Sequence, residues 1–239
     1  MKYIYGPLQS RRLGFSLGVS LTPYKVCNLD CLYCQLGPTT VKTSQRKEYI
    51  KIKDILRELK EFILNFDFKT CHIDYISLSG SGEPLLNSGI SKLILGIREI
   101  TPIPVALITN ASLLKNKAIR QEILGVDVIL PSLDAPDEET FEMIDRPSVK
   151  IKIENIINGL IELRKEFKGR IFLEIMVISG INDNIDFFAR FKEIISKINP
   201  DKIHLNTPTR HTSEPGILAP SQKNLKKIKE LLGQKCEII

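Results

Sequence analysis

Short runs rich in β-branched residues alternate along this chain with longer segments in which apolar residues recur every three or four positions. The short runs predict strands at 18–23, 73–80, 103–110, 127–134, 170–180 and 201–208. The longer segments predict amphipathic helices at 53–66, 151–167, 184–198 and 221–232. Strands that alternate with helices form parallel sheets with right-handed crossover connections. The pattern therefore predicts an α/β fold arranged as a barrel or partial barrel, and no linker-like segment divides it.

The composition is ordinary for a globular protein, with 43% hydrophobic and 26% charged residues among 239. No apolar run approaches the roughly 20 residues that span a bilayer, and the N-terminal "MKYIYGPLQSRRLG" has no apolar signal core. We therefore expect a cytoplasmic protein without a membrane anchor. The net charge of +6 is compatible with a polyanionic substrate such as RNA, although most lysines lie on predicted helices, where they form a solvated face.

Small and polar residues end the predicted strands, in "SGSGEP", "TNAS", "PSLDA", "SGINDN" and "NTPTR". In parallel α/β folds these carboxyl ends share one edge of the sheet, where ligands bind. Turn sequences have a similar composition in general, so the pattern alone is weak. Two features strengthen it. Glu83 is held between Gly82 and Pro84, and Ser132 and Asp134 alternate on a strand end, so both point to one side.

Three of the five cysteines lie within eight residues, as Cys27, Cys31 and Cys34. Clustered cysteines in a reducing compartment indicate a metal more often than a disulfide framework. A structural zinc site requires four ligands, usually as two separated pairs. Cys71 opens a strand at the opposite edge and Cys236 lies in the C-terminal tail, so neither completes such a site.

The three histidines do not supply a fourth ligand either, because they show no partner spacing, and His72 and His204 suit structural roles near strands. Three thiolates with one open position suit an iron–sulfur cubane whose fourth iron is free for a ligand. Tyr33, directly before Cys34, is expected to shield the cluster and to present its backbone to that ligand.

These motifs resemble the radical S-adenosylmethionine (SAM) superfamily. "CNLDCLYC" has the Cys-x3-Cys-x2-Cys spacing of that family, with an aromatic residue before the third cysteine. "SGSGEP" resembles its Gly-Gly-Glu-Pro segment, "PSLDA" its ribose-binding strand end, "MVISGINDN" its fifth-strand pattern and "LNTP" its sixth-strand contact. The resemblance runs in the family's order over about residues 10–210. It implies a partial (βα)6 parallel barrel of the radical SAM type in a single domain over 1–239, with a C-terminal helical extension over 211–239.

The resemblance also implies two cofactors and their ligands. Cys27, Cys31 and Cys34 are expected to hold a [4Fe-4S] cluster, whose open iron is chelated by the methionine end of SAM. The expected SAM contacts are Ser81, Gly82 and Glu83 at the ammonium, Asn110 near the methionine, Ser132 and Asp134 at the ribose, and Asn206 on the sixth strand. Glu174 has two interpretations, a cofactor contact or an ion pair across the barrel. An electron donor such as ferredoxin or flavodoxin is implied as a partner.

Two further stretches resemble a narrower group. "YGPLQSRRLGFSLGVSLTPYKVCNLDCLYCQLGPT" and "FEMIDRPS" look like the Fe–S oxidoreductases that include wyosine-synthesising tRNA enzymes. Those enzymes carry additional N-terminal cysteines for a second cluster, and residues 1–26 contain none. The resemblance therefore extends to the group rather than to the wyosine reaction.

Several cations are candidates for the substrate side. Arg146 and Arg210 are the better candidates for binding a phosphate or carboxylate, ahead of Arg11, Arg12 and His211; a surface ion pair is the alternative for each. Lys25, two residues before Cys27, is either a Schiff-base lysine or a solvated loop residue, and we expect the latter.

Three functions from different classes remain open at this point. The first is a radical enzyme that acts on RNA or another anionic substrate. The second is an activating enzyme that places a glycyl radical on a partner protein, which shares every cofactor motif. The third is a non-catalytic iron–sulfur or zinc module, which does not require the strand-end motifs at 81–83 and 132–134. The sequence does not indicate the oligomeric state.

Overall fold

The computed structural model of the chain describes residues 1–239. Its elements in chain order are β1 (Ile4–Ser10), β2 (Gly14–Ser20), β3 (Val26–Cys27), β4 (Val41–Lys42), α1 (Ile52–Asn65), β5 (Tyr75–Ser79), a 3-10 turn (Pro84–Leu86), α2 (Ile90–Ile100), β6 (Val105–Thr109), α3 (Lys117–Glu122), β7 (Val128–Pro131), α4 (Glu138–Asp145), α5 (Ile153–Glu166), β8 (Arg170–Met176), α6 (Ile185–Ile198), β9 (Lys202–Asn206), α7 (Gln222–Leu232) and β10 (Cys236–Ile238). None of the helices combines the length and apolarity that a bilayer crossing requires.

Eight of the strands form one sheet in the order β1-β2-β5-β6-β7-β8-β9-β10. Every neighbouring pair is parallel except β1 and β2, which form an antiparallel hairpin at the edge. The six predicted strands correspond to β2 and β5–β9, so the predicted α/β partial barrel is confirmed. The four predicted helices correspond to α1, α5, α6 and α7, and each predicted boundary lies within two residues of the observed one.

Alternate residues along each strand face opposite sides of the sheet, which separates two apolar layers. On β8, Ile171, Leu173 and Ile175 face outward and join a core cluster of 48 buried residues with the surrounding helices. Phe172 and Glu174 face inward, into the interior of the partial barrel, which we call the lumen. The outward face therefore holds the helices against the sheet, and the inward face is left for ligands.

A second apolar cluster fills the end of the lumen where the strands begin. It consists of Leu13, Ala106, Val128, Leu130 and Phe172, all buried, with Tyr75 and Ile108 packed against it. We call this cluster the apolar plug. Because the plug fills the amino end, the open part of the lumen lies toward the carboxyl ends of the strands.

The structure corrects two boundaries of the prediction. The segment after residue 210 is not purely helical, because Cys236 to Ile238 form β10, a parallel strand beside β9. Cys236 is therefore buried in a strand rather than lying in a tail. The first barrel strand, β2, begins at Gly14 instead of residue 18, since it pairs with β1 in a hairpin. β10 has three residues, too few for a recognisable pattern, and β2 contains Gly14, Ser16 and Gly18 among its apolar residues. Both segments are strands because a neighbouring strand supplies their hydrogen bonds.

Candidate active site

The three clustered cysteines lie in and directly after β3. Cys27 ends β3, which pairs with β4 in a separate two-stranded ladder, and Cys31 and Cys34 follow in the next loop. All three are free thiols, and all three line one cavity of about 490 Å³. The same cavity is lined by residues that follow β5, β6, β7 and β9, so the cysteines meet the carboxyl edge of the sheet.

Backbone hydrogen bonds from the end of α4 hold the cysteine loop in place. Asp30 and Leu32 donate their N–H groups to the carbonyl oxygens of Asp145 and Ile144, each at 2.9 Å. Ser148 donates its N–H to the carbonyl oxygen of Asn28 at 3.0 Å. The segment "FEMIDRPS" thus braces the loop through backbone hydrogen bonds.

The chemistry of the thiols fits an iron–sulfur cluster. Burial raises the pKa of Cys27 to about 11, and the nearby charge of Glu83 adds to the effect. Burial, followed by the Asp145 carboxylate, raises the pKa of Cys31 well above its usual value. Bound iron would supply the positive charge that offsets this burial and makes the thiolate the stable form. No three His, Cys, Asp or Glu side chains converge on a single metal ion, and a cluster bound through separate irons does not require this.

Glu83 occupies the turn between β5 and the 3-10 turn. Its Oε1 accepts hydrogen bonds from the Leu85 N–H at 3.0 Å and the Thr109 hydroxyl at 2.7 Å. Its Oε2 accepts the Asn110 N–H at 2.9 Å. Burial raises the pKa of Glu83 to about 7, and these three hydrogen bonds oppose the shift. The carboxylate is thus fixed on the cavity wall, with capacity left on Oε2 for one more donor.

Gly82 brings this turn into direct contact with the cysteine strand. A Cβ added at Gly82 would lie 2.0 Å from the carbonyl oxygen of Val26, so no larger residue fits. The same oxygen accepts the N–H of Glu83 at 3.1 Å, and the Ser81 carbonyl accepts the N–H of Lys25 at 2.5 Å. Residues 81–83 therefore position the start of the cysteine loop and also form part of the cavity wall.

Asn110, directly after β6, connects the cysteine loop to the sheet. Its Nδ2 donates to the Oδ1 of Asn28 at 2.8 Å and lies 3.6 Å from the Cys27 sulfur. Its Oδ1 accepts from the backbone and the hydroxyl of Ser112, at 3.1 and 2.6 Å. The side chain is therefore held beside a predicted cluster ligand.

Ser132 and Asp134 both line the cavity, as their alternation on the strand end predicts. Asp134 accepts a hydrogen bond from the Tyr33 hydroxyl and another from the Met176 N–H at 2.6 Å. Burial raises the pKa of Asp134 to about 6, these two bonds oppose the shift, and the charge of Glu174 adds to it. Tyr33 thus reaches across the cavity with its side chain, a contact that its position before Cys34 did not indicate.

Glu174 forms an ion pair across the lumen. Its Oε2 accepts from Nη1 of Arg12, which comes from the turn between β1 and β2. Its Oε1 has no hydrogen-bond partner and lies 3.6 Å from Nδ1 of the buried His204. Of the two interpretations of Glu174, the geometry favours the ion pair. Asn206, at the end of β9, lines the cavity and its carbonyl oxygen accepts the Val177 N–H at 2.8 Å.

The two arginines expected on the substrate side have different surroundings. Arg210 is exposed on the cavity wall and donates to the side chain of Gln35 at 2.9 Å. Arg146 does not line the cavity, and its guanidinium donates to Glu214 at 2.6 Å. Because Glu214 also bonds Leu32 through its backbone, Arg146 ties the C-terminal loop to the cysteine loop. The expectation for Arg146 as a substrate ligand is therefore not supported.

Lys25 is not the solvated residue that its loop position indicated. Its side chain is buried, with 3% of the residue exposed, and it lines the cavity. Its Nζ donates a hydrogen bond to the sulfur of Cys34 at 3.1 Å. The turn that contains the cysteines therefore carries its own buried cation.

Sequence reasoning also missed a set of hydroxyl groups inside the lumen. The Ser16 and Ser77 hydroxyls lie 2.7 Å apart, and the Tyr5 hydroxyl lies 2.7 Å from that of Ser79. The signal was present as small residues at every second position in "FSLGVS" and "YISLSG". Gly18 belongs to this pattern, since an added Cβ would lie 2.0 Å from the Tyr5 ring. Between the plug and the cysteines, the lumen is therefore polar.

Comparison with known proteins identifies relatives over nearly the whole chain. The family model described as the Radical SAM superfamily matches residues 21–191. A protein named GTPase Obg from Brachyspira hyodysenteriae is 40% identical over 99% of this chain, which spans only 34% of that protein. A UPF0026 protein of Methanocaldococcus jannaschii is 35% identical over 98% of this chain and 72% of its own length.

A solved structure shares the fold at low sequence identity. The structure of TYW1 with a lysine-pyruvate adduct bound superposes with a TM-score of 0.66 and 18% identity, over 91% of this chain and 72% of that chain. The likeness is one of fold, and it agrees with the partial barrel described above.

Proposed function

The chain belongs to the radical SAM superfamily, whose enzymes use a [4Fe-4S] cluster and SAM, and from this premise we propose that it cleaves SAM reductively and abstracts hydrogen from an anionic substrate. One observation carries the proposal, the single cavity that Cys27, Cys31 and Cys34 share with Glu83 and Asp134. The three cysteines would hold the cluster, and Glu83 and Asp134 would bind SAM, so that one-electron reduction would supply a 5′-deoxyadenosyl radical able to remove a hydrogen atom from the substrate.

The carboxylates on the cavity wall suit the two polar ends of SAM. Glu83 is a buried acceptor beside the cysteine loop, with capacity for the ammonium of the methionine moiety. Ser132 and Asp134 lie side by side on the next wall and suit the ribose hydroxyls. The ammonium and the ribose hydroxyls of bound SAM would compensate the buried charges of Glu83 and Asp134, which costs less than leaving them unpaired in the closed site.

The substrate side supports an anionic ligand. Arg11, Arg210 and His211 are exposed side chains on the cavity wall, and we call them the cationic rim. The lumen hydroxyls line the same cavity and offer further hydrogen bonds. Together with the net charge of +6, these groups favour a phosphate-bearing substrate, and we propose RNA modification as the reaction class. A low-potential donor such as ferredoxin or flavodoxin is the proposed source of the electron.

The cofactor chemistry is tested first. Anaerobically reconstituted protein should hold about four irons and four acid-labile sulfides per chain. Reduced protein should convert SAM to 5′-deoxyadenosine and methionine, and Cys31→Ala should not. One zinc per chain without sulfide, or no 5′-deoxyadenosine above the Cys31→Ala control with several reductants, would contradict the proposal.

The substrate class is tested separately by isotope transfer. Cells are grown in deuterated medium, and their RNA, protein and small-molecule fractions are each incubated with the reduced enzyme and unlabelled SAM. We expect deuterium in 5′-deoxyadenosine from the RNA fraction. Transfer from protein alone identifies an activating enzyme for a partner protein instead, and transfer from small molecules alone rejects RNA.

A further inference from the structure

Lys25 is a buried cation without a carboxylate partner. Only 3% of the residue is exposed, yet no Asp or Glu oxygen lies within 4 Å of its Nζ. Lysines are almost never fully buried unless paired. The hydrogen bond that Nζ makes is to the sulfur of Cys34, at 3.1 Å.

The backbone holds Lys25 firmly at this place. Its φ of 55° lies in the left-handed region, which is uncommon for residues other than Gly, Asn and Asp. Its N–H donates to the Ser81 carbonyl at 2.5 Å, and its own carbonyl oxygen accepts the Val41 N–H at 3.1 Å. A strained residue that is tied from both sides commonly marks a functional site.

The charge of Lys25 has a direct consequence for a cluster. Hydrogen bonds to the cysteine sulfurs and nearby net charge are among the factors that set the reduction potential of an iron–sulfur cluster. A cation that donates to a ligand sulfur stabilises the reduced form, because reduction adds one negative charge. Four lysine or arginine side chains line the cavity, and of these only Lys25 donates a hydrogen bond to a cysteine.

We propose that Lys25 is a positioning residue for electron transfer, which donates a hydrogen bond to the Cys34 sulfur and raises the reduction potential of the cluster. The proposal rests on the proposed function, because it requires that Cys27, Cys31 and Cys34 hold a cluster. It adds a role that the three-cysteine motif does not contain. The donor lies outside the motif, two residues before Cys27.

The test measures the potential rather than turnover. Full-length wild type, Lys25→Met and Lys25→Arg are reconstituted anaerobically, counted for iron and sulfide, and titrated with EPR detection of the reduced cluster. Lys25→Met should lower the equilibrium constant for one-electron reduction at least tenfold, equivalent to about 59 mV. Lys25→Arg, which keeps the charge and the donor, should recover most of the loss.

Lys42→Met is the matched control. Lys42 pairs with Cys27 across the β3–β4 ladder but is exposed, so solvent screens its charge and the potential should not change. Lys25→Met with full iron content and the wild-type potential overturns the inference, while the proposed function stands. A wild type that binds no cluster overturns the proposed function itself.

If Lys25→Met does not retain iron, a second substitution at the same position tests the inference. Lys25→Gln keeps an N–H donor and removes the charge, and its potential should lie between those of wild type and Lys25→Met. If Lys25→Met and Lys25→Gln both fail to hold iron, Lys25 acts in cluster assembly and the inference is wrong.

Discussion

The two ends of the lumen are built from opposite kinds of residue. At the amino end, Leu130 and Phe172 belong to a closely packed apolar plug. At the carboxyl end, Lys25, Glu83 and Asp134 are charged residues that are each only 3% exposed. Burial of apolar side chains stabilises the fold, whereas burial of charges opposes it unless partners compensate them.

The difference indicates where stability and function reside. Arg12 and Glu174 form an ion pair on the cavity wall, and each is within two residues of a plug residue, Leu13 and Phe172. Changes in the plug should lower stability and spare the cofactor site. Changes of the cysteines at the carboxyl end should remove cluster binding, and neutralising a buried carboxylate there should raise rather than lower the stability of the empty protein, as expected when active-site groups are arranged for a ligand.

The largest effect is expected from a cluster ligand. Cys27→Ala removes one of three thiolates, so iron content should fall from about four per chain to a small fraction and 5′-deoxyadenosine formation should stop. Cys71→Ala is the control, since Cys71 is a free, half-buried thiol that does not line the cavity. Equal iron content in Cys27→Ala and wild type would show that Cys27 is not a cluster ligand and that the carboxyl end does not hold the cofactor.

The next effect is expected in the plug. Phe172 is 5% exposed, and the side chains of Arg170, Lys202 and His204 lie within 5.6 Å of its ring. Phe172→Ala should lower the free energy of unfolding by about 3–5 kcal/mol through lost burial and the cavity it leaves. Urea unfolding measures this, and iron content after reconstitution should match wild type. Leu95→Ala, at an exposed position of α2, should change stability by less than about 0.5 kcal/mol.

A smaller, pH-dependent effect is expected at Asp134. Burial raises its pKa from 3.8 to about 6, so the folded state holds this proton more tightly than the unfolded state. Its contribution therefore favours folding below about pH 4 and is lost as the pH rises through 6. Asp134→Asn, which retains a partner for the Tyr33 hydroxyl and the Met176 N–H, removes this dependence.

In cofactor-free protein, the advantage of Asp134→Asn over wild type should grow by on the order of 2 kcal/mol between pH 4 and pH 7. Urea unfolding at four pH values measures the difference. If the difference in the free energy of unfolding between Asp134→Asn and wild type is constant with pH, then ionising Asp134 does not destabilise the folded protein.

The smallest effect is expected at the cationic rim. Arg210→Gln removes an exposed charge from the cavity wall and should raise the KM for the substrate about fivefold, corresponding to roughly 1 kcal/mol, with SAM cleavage in the absence of substrate unchanged. Arg146→Gln is the comparison, because Arg146 binds Glu214 outside the cavity. It should lower stability by at most about 1 kcal/mol and leave the KM unchanged. Equal KM changes in both variants would argue against a substrate role for the rim.

The fold and the cluster ligands could be predicted from local patterns. The helices α1, α5, α6 and α7 follow from apolar spacing, which depends only on which face of a helix meets the sheet. Cys27, Cys31 and Cys34 are close in sequence, so their common cavity needed no long-range information. By contrast, β10 has three residues and forms only because β9 offers an open edge.

What the sequence determined by itself is the order of strands and helices and the chemical groups at each strand end, because both depend on residues near one another in the chain. Only the tertiary structure decided which charges meet. Lys25 and Cys34 are nine residues apart, but the bond between them exists because Ser81 and Val41 hold the Lys25 backbone in the left-handed region. Arg12 meets Glu174 from 162 residues away. The pairing of Arg12 with Glu174 depends on the curvature of the sheet into a partial barrel, a property of the whole chain that no local pattern contains.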